Sequence, residues 1–185
     1  TKSNNIFFSS KEINMLSKKI DKKLNKAIYL AYSRIFKFHL KQKFSSFSFK
    51  DKYKNELSYR YSPIDKVGVY VPGGTASYPS TVLMNCIPAL VAGVKNICLA
   101  TPALDSKINP AIVYAAKKCG VKKIYKTGGA HTIAALAYGT KKFDKVDKIV
   151  GPGNAFVACA KKEVFGDVGV DMVAGPSEVS IVADK

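Results

Sequence analysis

Three short glycine-containing turns constrain the fold of this chain more than any other feature. They span residues 71–75, 127–131 and 150–154, and each lies between an apolar run and a helix-like run. Strand, turn and helix repeated in this order indicate right-handed βαβ units and a mainly parallel sheet. Ligands of such sheets bind at the carboxyl ends of the strands, where these turns fall. The pattern therefore predicts an α/β domain with a small-molecule binding edge.

The glycines in these turns have a chemical use as well as a conformational one. Glycine reaches positive φ and lets a ligand approach the main chain closely. Main-chain N–H groups at the start of a helix bind phosphates and carboxylates. A fourth turn, at residues 174–178, lies between two apolar segments. Several turns of one style favour a binding edge over a set of unrelated loops.

Apolar runs and helical periodicity predict an alternating series of elements from residue 67 onward. The predicted strands are residues 67–71, 96–100, 123–126, 148–150 and 179–183. The predicted helices are residues 81–91, 109–119, 132–138 and 155–165.

The first 66 residues have a different texture. Ser9 and Glu12 are three residues apart, which is the pattern of a capping box at the start of a helix. Residues 57–61 alternate in polarity and predict an edge strand. Between these two features, apolar residues recur at three- and four-residue steps and predict a helix with one apolar face. They are Leu24, Ile28, Ala31, Ile35 and Phe38.

The composition indicates a folded protein in a reducing compartment. Hydrophobic residues make up 47% of the 185 residues, which suffices for a sizeable core. The cysteines form no C-x-x-C pair and lie in apolar surroundings, so we expect all of them to be buried. They are Cys86, Cys98, Cys119 and Cys159.

The sequence shows no signal peptide and no apolar run long enough to span a bilayer, which favours a cytoplasmic location. Because the chain starts at Thr1 and stops soon after an apolar segment, we expect a piece of a longer protein.

The formal net charge of +17 is concentrated near the start of the chain. Residues 1–66 contain 16 Lys and Arg against 5 Asp and Glu, while residues 67–185 contain 14 against 8. One interpretation is a basic arm that binds nucleic acid. The other is a solvated helix face. Only Arg34 and Arg60 are arginines. Because arginine is the residue that grips phosphate in two places, we expect no nucleic-acid partner.

Generic catalytic motifs are missing. The turns match neither G-x-G-x-x-G nor G-x-x-x-x-G-K-[ST], and G-x-S-x-G does not occur. The two histidines, His39 and His131, cannot supply a multi-histidine metal site by themselves. Generic rules alone therefore leave a binding edge without a complete catalytic apparatus. A non-catalytic α/β nucleotide-binding module is one hypothesis that fits them.

Four longer stretches are more specific than these generic rules. They are VGVYVPGGTA with PSTVLM (67–76 and 79–84), GGA with IAA (128–130 and 133–135), KVDKI with GPGN (145–149 and 151–154), and DM with AGPSEV (171–172 and 174–179). Their order and spacing are those of histidinol dehydrogenase. The chain therefore resembles that family over roughly residues 9–185, most closely from residue 67.

The resemblance implies an enzyme that uses zinc and NAD to oxidise L-histidinol to L-histidine in two hydride transfers, the last steps of histidine biosynthesis. It also implies a homodimer built on Rossmann-like halves with an atypical cofactor site. We accordingly predict a Rossmann-like, mainly parallel sheet flanked by helices in residues 67–185, incomplete at its C-terminus. A helical arm and edge strand in residues 1–66 are expected to precede it. The expected partner is the small-molecule substrate, with no nucleic acid and no membrane.

Three residues match positions at which the family contacts NAD: Tyr70, His131 and Asn154. Tyr70 and Asn154 also have structural explanations, as an aromatic ring packed at a strand end and as a helix N-cap. His131 replaces the family's usual Gln, and neutral imidazole offers one donor and one acceptor on a differently shaped ring. Ser177 matches a serine that contacts substrate, and a turn hydroxyl is its structural explanation. Val173 replaces a common Pro, which loosens one turn.

No residue of this sequence matches the family's proton-transfer or metal-binding positions. The family's Glu-His pair and its zinc ligands, which are Gln, Asp and two His, lie on the C-terminal side of Gly-Pro-Ser-Glu. We therefore assign no catalytic and no metal-binding residue here. The sequence predicts that these 185 residues alone are inactive.

Overall fold

The computed structural model describes residues 5–73, 77–103, 108–172 and 178–183. In these ranges the strands are β1 (Phe7–Phe8), β2 (Phe47–Lys50), β3 (Glu56–Tyr59), β4 (Lys66–Tyr70), β5 (Asn96–Ala100), β6 (Lys123–Tyr125), β7 (Lys148–Val150) and β8 (Gly169–Val170). The helices are α1 (Ser10–Ser17), α2 (Lys22–Leu40), α3 (Pro79–Ala92), α4 (Pro110–Lys118), α5 (Ala130–Tyr138) and α6 (Ala155–Glu163). None of these helices has the length and apolarity needed to cross a membrane.

The main sheet of the described residues contains six strands in the order β1-β6-β5-β4-β7-β8. All its pairings are parallel except that of β1 with β6. The chain proceeds outward from β4 to β5 and β6, then returns to the other side of β4 for β7 and β8. The predicted mainly parallel α/β sheet is therefore confirmed. Its topological switch point lies between β4 and β7, because the direction of strand addition reverses there.

The core has two layers, one on each face of the sheet. Successive residues of a strand point to opposite faces, so Val69 and Leu99 pack on one side while Tyr70 and Cys98 pack on the other. The first face is covered by α3 and α4, with α1 packed on α4 and α2 packed on α3. The second face is covered by α5 and α6. This arrangement holds the turns after β4, β6 and β7 at one edge of the sheet.

The capping box predicted at Ser9 is present at the start of α1. The Ser9 N–H donates to Glu12 Oε2 at 2.7 Å, and the Glu12 N–H donates to Ser9 Oγ at 3.2 Å. Glu12 Oε1 also accepts a hydrogen bond from Lys126 Nζ at 3.3 Å. These hydrogen bonds lower the pKa of Glu12, the largest effect being that of the Ser9 N–H. The box thus fixes the start of α1 beside the residue that follows β6.

The apolar face predicted for α2 is buried only at its centre. Ile28 is buried, and Ala31 and Ile35 pack against the same core. Leu24 and Phe38, toward the two ends of the helix, are exposed. The predicted apolar face is present on α2, and its outer members stay exposed on this nineteen-residue helix.

The edge strand predicted at residues 57–61 is present as β3 (Glu56–Tyr59), in a hairpin separate from the main sheet. β3 pairs with β2 in an antiparallel two-stranded sheet in which Phe47 faces Tyr59. Every residue of both strands is exposed. The rings of Phe47 and Tyr59 stack with centroids 6.0 Å apart, and Phe44 stacks on Tyr61 at 5.1 Å. A domain boundary at residue 66 stays a prediction.

The strand predicted at residues 179–183 is absent. Residues 178–183 have no regular structure, and Val179, Ile181 and Val182 are exposed. An apolar run forms a strand only where a neighbouring strand can pair with it, and none of the described strands does so here. The edge of the sheet beside β7 is instead occupied by β8, which the sequence did not predict.

Three of the four cysteines are buried as predicted, and the fourth is not. Cys86, Cys98 and Cys119 lie in the core, where burial raises the pKa of Cys98 to about 12. Cys159 is exposed on α6. The buried positions of that helix are Val157 and Lys161, which are four residues apart. Cys159 lies midway between them in sequence and therefore points to the opposite side of the helix.

Replacing Ser9 with Ala tests the contribution of the capping box. We expect the free energy of unfolding to fall by about 1 kcal/mol, because the N3 main-chain N–H loses its acceptor. Ser10→Ala is the matched control, since Ser10 is the exposed first residue of α1. Urea denaturation followed by circular dichroism measures both variants. Equal destabilisation by the two substitutions would contradict the assignment of Ser9 as the cap.

Candidate functional site

The three turns predicted from the sequence meet at the carboxyl edge of the sheet. Residues 71–73 follow β4, residues 126–129 follow β6 and residues 151–154 follow β7. Because β4 and β7 are neighbours, the first and third of these turns border the switch point. Crevices at this position are the usual ligand sites of open α/β sheets.

Tyr70 links the turn after β6 to the end of β4. It is the last residue of β4 and is buried, with 4% of its surface exposed. Its hydroxyl oxygen accepts a hydrogen bond from the Gly129 N–H at 3.0 Å. The predicted structural explanation, an aromatic ring packed at a strand end, therefore holds. The hydroxyl keeps its own proton for donation to another acceptor.

Gly151 brings the turn after β7 into contact with β4. Its φ is +112°, and an added Cβ would lie 2.1 Å from the Tyr70 carbonyl oxygen. Both the backbone conformation and the contact therefore require glycine. The turn after β6 is equally crowded, because a Cβ on Gly128 would lie 2.2 Å from Pro102 Cγ. At this edge Gly151 packs on the Tyr70 main chain and Gly128 packs on the Pro102 ring.

Asn154 is the N-cap of α6. Its Oδ1 accepts a hydrogen bond from the Val157 N–H at 3.1 Å. The residue is exposed, and its Nδ2 makes no hydrogen bond within the described part of the chain. The capping explanation is therefore correct, and it leaves the carboxamide nitrogen available to a ligand. The N–H groups of the first turn of α6 lie at the same edge.

His131 lies in the first turn of α5 and is exposed. Its Nε2 is 3.1 Å from Thr127 Oγ1, which is in turn 3.1 Å from Thr132 Oγ1. The threonine hydroxyls thus hold the imidazole above the Gly129 turn. The other ring nitrogen, Nδ1, makes no hydrogen bond among the residues that the structure describes. The structure brings His131, Tyr70 and Asn154 to one edge of the sheet.

Ser177 lies outside the described residues, as do residues 74–76 of the first turn. Glu178, the next residue after Ser177, is exposed. A role for Ser177 in substrate binding stays a prediction.

Sequence reasoning missed an ion pair beneath the turn after β7, in which the lysine is buried and the aspartate is partly exposed. Lys161 is 4% exposed, and its Nζ donates to the Gly151 carbonyl oxygen at 3.0 Å and to Asp171 Oδ1. Asp171 Oδ2 accepts a hydrogen bond from the Gly151 N–H at 2.8 Å. Burial raises the pKa of Asp171, but hydrogen bonds from Lys161, Gly151 and Met172 outweigh it and lower the pKa. A lysine four residues after Val157, on the apolar face of α6, was the available signal.

Thr101 is a second residue that the sequence did not single out. It follows β5 directly and is 1% exposed. Its main-chain N–H donates to the Tyr125 carbonyl oxygen at 3.1 Å. Its hydroxyl has no hydrogen-bond partner in the described ranges. An unpaired hydroxyl at the carboxyl edge is a feature of binding edges as well as of imperfect packing.

Metal-binding side chains do not converge at this edge. Across residues 5–73, 77–103, 108–172 and 178–183, no three His, Cys, Asp or Glu side chains gather closely enough to hold an ion. The described residues therefore do not fit a zinc site, and no chemical step is assigned to zinc here. The groups that do converge are main-chain N–H groups, a phenol, an imidazole and a carboxamide, which suit an anionic or hydrogen-bonding ligand.

Comparisons with known proteins decide the family. The family model described as histidinol dehydrogenase matches residues 1–185. The chain belongs to the histidinol dehydrogenase family. A curated histidinol dehydrogenase from Pelagibacter ubique is 61% identical over 96% of this chain and 42% of its own length. One from Helicobacter hepaticus is 49% identical over 96% of this chain and 41% of its own length.

A solved structure agrees with the family and the fold. The crystal structure of histidinol dehydrogenase from Elizabethkingia anophelis superposes with a TM-score of 0.89 at 44% identity. The superposition covers 95% of this chain and 41% of that one. The chain therefore spans about two fifths of the length of the histidinol dehydrogenases that it matches. The Rossmann-like fold inferred from the resemblance is confirmed.

Gly151→Ala and Gly166→Ala separate the effect of close packing from that of backbone strain. Both glycines have positive φ, +112° and +102°, but a Cβ on Gly166 meets nothing within 4 Å. We expect Gly166→Ala to lower the unfolding free energy by about 1–2 kcal/mol, the cost of left-handed backbone. Gly151→Ala should cost at least about 3 kcal/mol, because the Tyr70 carbonyl must also move. Urea denaturation measures both, and equal losses would contradict the close contact.

Proposed function

We propose that this chain forms the NAD-binding side of an enzyme that oxidises L-histidinol to L-histidine. One observation carries the proposal. In a chain of the histidinol dehydrogenase family, Tyr70, His131 and Asn154 share the sheet edge that contains the switch point. These are the residues whose positions match NAD contacts in that family. The bound NAD would accept the hydride removed from the substrate.

Each of the three residues would contribute a different kind of contact to NAD. The Tyr70 hydroxyl, already held by the Gly129 N–H, would donate its proton to an oxygen of the cofactor. His131 would use Nδ1, because Nε2 is engaged with Thr127. Asn154 would donate from Nδ2, because Oδ1 caps α6. The imidazole would thereby replace the usual glutamine as one directed donor or acceptor.

The start of α6 suits the negatively charged part of NAD. The first main-chain N–H groups of a helix have no partner inside the helix, and the helix dipole favours an anion at that end. Side chains at Gly151 and Gly153 would point toward the Tyr70 carbonyl oxygen and Val157, so the donors that this turn offers to a phosphate are the first N–H groups of α6. We infer that the pyrophosphate lies at the turn of residues 151–154.

Substrate oxidation would need groups outside the residues assigned here. Ser177 would bind L-histidinol. Zinc ligands and a Glu-His proton-transfer pair would come from the part of the family sequence that follows this chain, since the chain spans 41–42% of the relatives' length. We therefore propose that the 185 residues alone do not oxidise L-histidinol. The intact enzyme would be a cytoplasmic homodimer of histidine biosynthesis.

The full reading frame that contains this chain provides the direct test. The expected result is L-histidinol-dependent formation of reduced nicotinamide by the full protein, and none by the 185 residues alone. Absorbance of the reduced nicotinamide measures both. NAD binding by the full protein without turnover would favour the non-catalytic nucleotide-binding module. Comparable rates from the two proteins would show that the shorter chain is sufficient.

Asn154→Asp separates capping from cofactor binding. Asp caps helices as well as Asn does, so stability should stay within about 0.5 kcal/mol. The variant loses the Nδ2 donor and gains a negative charge beside the proposed pyrophosphate. In the full protein we expect the KM for NAD to rise about tenfold, the equivalent of one hydrogen bond to a charged group.

The control for this substitution is Asn109→Asp, which changes the matching N-cap of α4. Its KM for NAD should stay at the wild-type value, because Asn109 matches no cofactor position. An unchanged KM in Asn154→Asp, or the same rise in both variants, would contradict the assignment of Asn154.

A further inference from the structure

Buried Lys161 and its partly exposed partner Asp171 contact the turn after β7 at both main-chain polar atoms of Gly151. We propose that this pair positions residues 151–154 for NAD binding, an inference that rests on the function proposed above. The pair would act through the turn and would not touch the cofactor. Lys161 and Asp171 are therefore assigned as positioning residues.

The sheet pairing between β4 and β7 stops immediately before Gly151. The parallel pairing of β4 with β7 ends at Val69 and Val150, so Gly151 is the first residue beyond it. At Gly151 the backbone turns to φ +112° and no longer follows the strand. Its N–H donates to Asp171 and its carbonyl oxygen accepts from Lys161. Two side chains thus replace the hydrogen bonds that the sheet would otherwise provide.

The side chains of Lys161 and Asp171 are themselves held in place by the elements that carry them. Lys161 projects from the buried face of α6, one turn after Val157. Asp171 comes directly after β8, and its N–H donates to the Ile149 carbonyl oxygen at 3.2 Å. The pair therefore ties together the helix that follows the turn and the strand beside β7. A shift of the turn would have to break hydrogen bonds to both elements.

Lys161 is not free to contact the cofactor directly. Only 6% of the Lys161 side chain is exposed, and its ammonium already donates to Gly151 and Asp171. The Asp171 carboxylate compensates the ammonium charge, so little attraction remains for a phosphate. An ion pair with one buried and one partly exposed partner is weak support for stability compared with an apolar pair of the same size. Its use here is better explained by the geometry that it imposes on Gly151.

The consequence is a turn held in the bound shape before NAD arrives. A preorganised loop loses less conformational freedom on binding, which raises affinity without any added contact to the ligand. Release of the turn should therefore weaken NAD binding while L-histidinol binding is retained, because both side chains bind the main chain of Gly151 in the turn after β7.

The test measures dissociation constants of the full protein for NAD and for L-histidinol by calorimetry. Lys161→Met removes the donor to the Gly151 carbonyl, and we expect about tenfold weaker NAD binding with L-histidinol binding unchanged. Asp171→Asn keeps the size and an acceptor for the Gly151 N–H, and should weaken NAD binding by a smaller factor. Lys162→Met, at the exposed neighbouring position of α6, is the matched control and should bind like wild type.

The outcomes separate this inference from the proposed function. Failure of the wild-type protein to bind NAD would overturn both. Wild-type binding with unchanged NAD affinity in Lys161→Met and Asp171→Asn would overturn the positioning role alone, as would equal losses for NAD and L-histidinol. Circular dichroism checks folding at the temperature of the measurement. If Lys161→Met does not fold, Asp171→Asn decides the question.

Discussion

The parallel pairing of β4 with β5 on one side and β7 on the other is the constraint on which the rest of the structure depends. It makes β4 a central strand, buried on both faces from Val67 to Tyr70. It also forces the chain to change direction between β6 and β7, which creates the switch point. The turn after β7 must then pass the end of β4 so closely that only glycine fits at residue 151. The strand order, more than any single side chain, determines where the candidate site lies.

The local sequence pattern was sufficient to predict those elements that are bounded by apolar runs and glycine turns. The strand at residues 96–100 was predicted to the residue, and the helices after β4 to β7 were predicted within two residues of their ends, because apolar runs and glycine turns bound them. The local pattern did not predict which distant segments pair as strands. β1 and β8 are two residues long, too short for any periodicity, and residues 179–183 have strand composition without a paired neighbour.

The candidate site was predictable in a different way. The edge on which ligands bind followed from the order of elements, whereas the choice of Tyr70, His131 and Asn154 came from the family resemblance. The sequence signal for Lys161 was its spacing four residues after Val157, and it was weak because a lysine on an amphipathic helix is ordinarily solvated. Its burial depends on Asp171 and on the Gly151 carbonyl, which the chain brings together only after β7, α6 and β8 have assembled. Such a pair is a property of the tertiary structure.

The position of Cys159 has a practical consequence for this molecule. The other three thiols are enclosed in the core, whereas Cys159 faces solvent five residues after the cap of α6. At the helical rise per residue this separation is about 7.5 Å along the axis. Cys159 is thus a natural attachment point for a thiol-reactive fluorophore, and its emission would report on occupancy of the nearby edge in real time without an engineered label site.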